Sequence, residues 1–266
     1  MNLHTIKHDI ARGGYVAALT MAASVYGSHP VPLPLLRFSR SLATYENPLT
    51  PRKGIPVLDP AKIDDRDLAW LFEGQTFDEW SLNHDAINFL RKLYLDLQPD
   101  SVLEFGSGVS TAVFAYLMRD QIASDAAQLV SVEQSPEFAD KTKAMLGRAG
   151  LENAPRFVCP GMAEGQFDGR TVGCYDLHDE FLAEVFSDMR PSLIFIDGPF
   201  GVGPVRGPIL PRLLPYLNAP TTVILDDALR DNEMRILEVW SNLPSVVVKG
   251  VHLIRKGMAE ITVTPR

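Results

Sequence analysis

Five short runs, Ser101–Phe105 (SVLEF), Leu129–Glu133 (LVSVE), Arg156–Cys159 (RFVC), Leu193–Asp197 (LIFID) and Thr222–Asp226 (TVILD), alternate with segments of helical periodicity. No other feature constrains the fold as much. LIFID and TVILD are continuously apolar until a closing carboxylate, the pattern of parallel strands buried on both faces. Between the runs, Ile87, Leu90, Tyr94 and Leu97 recur at helical spacing, predicting a helix over 83–97 that stops before Pro99. Val109, Ala112, Val113, Tyr116 and Leu117 mark a second helix. Ser135 and Pro136 supply an N-cap and a first-turn proline for a third, reaching about Ala149. Further helices are expected around 205–217 and 231–242, and strands at 245–249 and 259–263, with the register open near His252–Arg255. Strands alternating with helices predict an α/β, doubly wound, mostly parallel seven-stranded sheet.

The first 62 residues do not share this rhythm. Seven of the 20 prolines lie between Pro30 and Pro60, where extended chain wrapping a surface is expected. Residues 1–62 therefore read as a helix followed by a Pro-rich arm, and 63–266 as the domain proper. The apolar stretch Tyr15–Tyr26 follows Lys7 and Arg12, but is short for a leader, and Pro-rich chain follows it; a helix packed on the domain or on a second subunit is expected, making the arm a site for homo-oligomer formation. No run reaches the roughly 20 apolar residues of a membrane span. Only Cys159 and Cys174 occur, without metal-ligand spacing, which fits a reducing, cytoplasmic setting. A net charge of −8 disfavours nucleic acid, whose binding rests on neutralising phosphates, and leaves a small molecule as the expected partner.

In open α/β sheets ligands bind beyond the carboxyl ends of the strands. The first strand ends in Glu104-Phe105-Gly106-Ser107-Gly108, where glycines let backbone approach a ligand and a helix starts at Val109. The second ends in Glu133, a carboxylate suited to two ribose hydroxyls. A dinucleotide site would want Gly or Ala at position 111, which is Thr, and Glu104 would set negative charge near a pyrophosphate. Glu104 suits a cofactor that carries an ammonium group.

The segments VLEFGSGVSTAVFA, VSVEQSPEF, LIFIDGP and TVILDDALR resemble, in order and spacing, strand motifs of class I S-adenosylmethionine-dependent methyltransferases, over residues 83–266. The resemblance implies the Rossmann-like fold of that family and S-adenosylmethionine as cofactor. It further implies that Gly106, Ser107 and Gly108 line the methionine and ribose, that Glu133 holds the ribose hydroxyls, that Gln134 lies by the adenine, and that Pro160–Met162 edges the ring. Asp197 would face the cofactor or the acceptor.

Asp197 and the Asp226-Asp227 pair end the fourth and fifth strands, so neighbouring strands bring three carboxylates together. Such a cluster needs a cation or a proton, and hard oxygen ligands suit magnesium. The arrangement is similar to that of metal-dependent sugar and catechol O-methyltransferases, which implies methylation of a hydroxyl on a small molecule. The other arrangement has Asp197 on the cofactor, Asp226 capping a turn and Asp227 in solvent. The lysine that follows the fourth-strand aspartate in catechol-type enzymes is absent, so the candidate bases are His178 and Asp227; His178 equally fits a helix cap. His84 could border the substrate. Arg206 and Arg230 could clamp an anionic substrate or neutralise the aspartates. The loop 198–208, with four glycines and three prolines, reads as a substrate-facing lid. Other functions on such a fold are aminopropyl transfer, nicotinamide-dependent oxidoreduction, and binding without catalysis.

Overall fold

The computed structural model describes residues 24–36, 57–78, 80–123 and 126–265. Most of the helix expected before Tyr26, and the arm over 37–56, lie outside the described residues.

The sheet is seven-stranded, in the order β3-β2-β1-β6-β7-β9-β8. Its strands are β1 (Ser101–Phe105), β2 (Gln128–Val132), β3 (Pro155–Val158), β6 (Leu193–Ile196), β7 (Thr221–Leu225), β8 (Val246–His252) and β9 (Met258–Val263). The first five are parallel to one another, whereas β9 runs antiparallel to both β7 and β8. Every residue of β1 and β6 is buried, as continuous apolar runs require when helices cover both faces.

One face carries α1 (Arg66–Trp70), α2 (His84–Leu97) and α3 (Val109–Ala123), whose Leu68, Ile87, Leu90 and Phe114 pack with Val102 and Phe195. The other buries Leu103, Ile194 and Leu225 against α5 (Asp179–Asp188), α6 (Ile209–Leu213) and α7 (Asp231–Trp240), with Trp240 wholly enclosed. Helix α4 (Pro136–Gly147) starts at the foreseen N-cap, although the Ser135 side chain makes no cap bond. Leu97, on the apolar face by spacing, is exposed at the end of α2. Helix α6 is much shorter than 205–217, because Pro215 lacks the backbone donor that would continue it; a 3-10 turn, Leu214–Tyr216, follows it.

Three elements correct the expected plan. Met162–Phe167 (β4) and Arg170–Tyr175 (β5) form a separate antiparallel hairpin, closed by Asp168 and Gly169, both with positive φ (52° and 71°). Asp179–Asp188 is helical. The strand expected over 245–249 runs on to His252, with an unforeseen bulge between Val248 and Gly250. There Val31 exchanges two 2.8 Å backbone hydrogen bonds with Val251, covering the outer strand of the sheet. A Cβ on Gly250 would lie 2.3 Å from the Val31 carbonyl oxygen, so glycine is required for this contact. Val31, Leu33 and Leu36 join the core, so the described part of residues 24–36 packs on the domain. No helix among the described residues is long and apolar enough to cross a membrane.

Candidate active site

From β1 the chain builds outward through β2 to β3, then returns to place β6 on the opposite side of β1. The strand order reverses between β1 and β6, and a crevice opens there beyond the strands' carboxyl ends. It is a cleft of about 390 Å³ lined by Gly106, Ser107, Glu133, Gln134, Tyr175, Asp197, Gly198, Arg206, Asp227, Arg230 and Lys256, with Asp78, Trp80, Phe138 and Phe200 around them.

On the β1–β2 side the site is built largely from backbone. Gly106 (φ 94°) turns the chain, and a Cβ there would stand 2.7 Å from the Gly198 nitrogen, so the loops after β1 and β6 touch only because glycine is present. Ser107 donates through its N–H and its Oγ to Glu133 Oε2, at 2.8 and 3.0 Å, and Ser135 N–H donates to Oε1 at 3.0 Å. Thr111, which breaks the dinucleotide pattern, accepts from Gly108 N–H at 2.9 Å and donates to Glu104 Oε2 at 2.5 Å. Ser131 also donates to that oxygen, at 2.8 Å. Glu104 is wholly buried beneath the turn instead of lining the cleft, and its Oε1 has no hydrogen-bond partner among the described residues. Burial raises its carboxyl to about 7, against the opposing pull of Ser110, Thr111 and Ser131. Gln134 Oε1 accepts from Phe200 N–H at 2.6 Å, tying the second strand end to the loop after β6.

The β6–β7 side is built from charge. Asp197, Asp226 and Asp227 converge, each offering an oxygen within 4.8 Å of the others. Arg206 Nη2 stands 3.0 Å from Asp197 Oδ1 and 3.4 Å from Asp227 Oδ2, while Nη1 donates to the Asp226 carbonyl at 3.0 Å. Arg230 reaches Asp227 at 2.8 Å, Lys256 at 3.6 Å, and Arg255 stands 3.5 Å from Asp226. Asp227 is buried, not solvated, and takes a left-handed φ of 57°. Burial pushes its carboxyl up, but Arg206, Arg230 and Lys256 outweigh that and hold it below the ordinary carboxylate value. Asp226 is raised well above that value by burial and by the charges of Asp227 and Asp197. Burial also pulls the Lys256 amine down. The residues as folded do not fit a resident magnesium ion, because the Arg206 guanidinium already stands against both Asp197 and Asp227, where an ion between them would meet a cation.

Several candidates lie elsewhere. His178 is the N-cap of α5, its Nδ1 accepting from Phe181 N–H at 3.1 Å, and it lines a different cavity, of about 330 Å³, that shares only Tyr175 with the cleft. His84 is buried, with Nδ1 accepting from Asp59 N–H at 3.3 Å. Met162 opens β4, and neither it nor Gly108 lines the cleft. Only the first half of loop 198–208 is open, with Phe200 and Val202 exposed; Val205 and Arg206 are buried, and Gly207 accepts from Trp240 Nε1 at 2.9 Å. Trp80 and Lys256 were not singled out by the sequence. Their rings and charges meet at the cleft mouth, where Trp80 and Phe200 pack edge-to-face at 5.3 Å and Lys256 Nζ lies 5.7 Å from the Trp80 ring.

No family model and no curated protein matches the chain. Solved structures do. An SAH-bound methyltransferase from Podospora anserina aligns at 15% identity over 79% of this chain and 88% of its own, with a TM-score of 0.52. An O-methyltransferase from Bacillus cereus in complex with SAH aligns at 17% identity over 75% and 90%, also at 0.52. A methyltransferase from Geobacter sulfurreducens aligns at 13% identity over 88% and 97%, at 0.51. The chain therefore has the Rossmann-like fold of these methyltransferases.

Proposed function

We propose that this chain is an enzyme that transfers the methyl group of S-adenosylmethionine to a hydroxyl oxygen of a small molecule. One observation carries the proposal: the glycine turn after β1 and the carboxylate ending β2 open into a single cleft at the switch point, opposite Asp197. The neighbours of this fold that hold SAH support the same cofactor.

Glu133 would take the ribose hydroxyls. Its oxygens already accept three hydrogen bonds, but a carboxylate has about four acceptor sites, so the bonds from Ser107 and Ser135 orient it and leave capacity for the ligand. Gln134 and Phe138 would flank the adenine, and the N-terminus of α3 would face the carboxylate of the methionine portion. Glu104 supports the turn from beneath, where Thr111 bridges it to Gly108.

The acceptor would lie between Asp197, Trp80, Phe200, Arg230 and Lys256. Its oxygen attacks the methyl carbon, the carbon–sulfur bond breaks with its electron pair going to sulfur, and the hydroxyl proton leaves to a base. The sulfonium is already activated, so alignment and proton removal are what the protein must supply. Asp227 is a weak base while three cations hold it, and His178 is out of the cleft. Asp197, which lines the cleft and is only partly buried, orients the acceptor and is the carboxylate we assign to the proton.

Calorimetry with adenosylhomocysteine and with NAD tests the cofactor assignment. Saturable binding of the first and none of the second is expected; the reverse would make the site a nicotinamide pocket.

A further inference from the structure

Three carboxylates with oxygens within 4.8 Å of one another form a donor set that a hard divalent cation takes. Here the position is filled from within the chain. The buried guanidinium of Arg206 touches Asp197 and Asp227 through one nitrogen, at 3.0 and 3.4 Å. Through the other it meets the Asp226 carbonyl at 3.0 Å and Glu233 at 3.9 Å. Its planar fork satisfies several acids at fixed angles, as a hydrated lysine ammonium does not.

We propose that Arg206 is a built-in substitute for a divalent cation: it takes the ion's place between Asp197 and Asp227 and positions Asp197 toward the cleft. Metal and arginine are then mutually exclusive, since a guanidinium within 3.0 and 3.4 Å of these carboxylates repels a second cation there. The loop carrying Arg206 fits this part, with its second half buried and anchored through Gly207 to Trp240. The cluster also keeps oxygens that an ion could take, because neither oxygen of the wholly buried Asp226 accepts a hydrogen bond among the described residues, where Arg255 stands 3.5 Å from Oδ2. Removing the guanidinium should therefore expose a latent divalent-cation site. The proposal concerns the cleft described above but does not depend on which cofactor fills it.

The test is a Mn²⁺ titration of the full chain followed by electron paramagnetic resonance, on wild type, Arg206→Ala and Arg206→Ala/Asp227→Asn. Wild type should leave the free Mn²⁺ signal unchanged, and Arg206→Ala should bind one ion at least about tenfold more tightly, an affinity lost again in the double variant. Stoichiometric Mn²⁺ binding by wild type that disappears in Asp197→Asn overturns the proposal. A folded Arg206→Ala protein that binds no Mn²⁺ overturns it too, for the acids would then not be an ion's donor set. Should the alanine variant fail to fold, Arg206→Gln takes its place, and the wild-type titration stands by itself. Adenosylhomocysteine affinity, measured in parallel, reports separately on the cofactor assignment.

Discussion

The two walls of the cleft solve the same problem, holding polar groups at strand ends, in opposite ways. Beyond β1 and β2 the groups come from contiguous residues, and Glu133 is oriented by two backbone N–H groups and one hydroxyl. Beyond β6 and β7 they come from three separate loops, and four acids face four cations with little exposure to water. The first wall depends on backbone shape and the second on charge balance. Buried ion pairs gain little net stability but cost several kcal/mol when one partner is lost, so the second wall is unforgiving of single substitutions. A backbone cradle suits an invariant cofactor, while a wall assembled from distant loops is where acceptor specificity can vary.

The largest expected effect probes the backbone wall. Gly106→Val forces a β-branched residue to a φ of 94° and sets its Cβ against the Gly198 backbone. Strain and overpacking together should cost about 2–6 kcal/mol, much of the stability of an ordinary domain. The loss is one of folding and not merely of cofactor space, as urea denaturation would show. A variant as stable as wild type would mean that the loops after β1 and β6 do not meet.

Glu104 carries the next. A carboxyl raised from 4.5 to about 7 keeps a proton that the unfolded chain has released. Its contribution is complete below pH 4.5, is lost as pH rises toward about 7, and stays lost above. The fall is on the order of 3 kcal/mol. Glu104→Gln should remove it, leaving the variant more stable than wild type at pH 8 and nearly equal at pH 4.5. Parallel stability curves for the two proteins would show instead that Glu104 stays ionised in the fold.

Glu133→Gln keeps the shape of the cradle but halves its acceptor strength. Adenosylhomocysteine should bind about 1.5–3 kcal/mol more weakly by calorimetry. Unchanged affinity would move the ribose away from β2 and dissolve the contrast between the walls.

The backbone wall was legible in the sequence because everything it needs is local: a strand period, a glycine turn and a carboxylate at the next strand's end. The charged wall was only half legible. Asp197, Asp226 and Asp227 announced themselves by closing apolar runs, but their counter-ions could not be ranked. Arg206 is nine residues from Asp197, and Lys256 lies 29 residues beyond Asp227, past a helix and a bulged strand that pairs with Val31. Ligand type alone therefore left a metal and an arginine both open, and the folded chain sets Arg206 against Asp197 and Asp227. The β4–β5 hairpin had a signal, Asp168-Gly169, but its strands are mostly polar (MAEGQF, RTVGCY) and show no apolar alternation to read.

The smallest expected effect lies outside both walls and sharpens the contrast by exclusion. His178 is half-exposed; its Nδ1 accepts the Phe181 N–H and also faces Glu180 Oε2 at 3.2 Å. Removing an N-cap acceptor exposes one orphan donor at the start of a helix, which costs about 1 kcal/mol. His178→Ala should show that loss in urea, while adenosylhomocysteine affinity and methyl transfer stay at wild-type levels. His178→Asn, which can accept the same bond, should restore most of the stability. A collapse of turnover with unaltered stability would bring the imidazole into the chemistry, and would require the cavity beyond Tyr175 to open into the cleft when substrate binds.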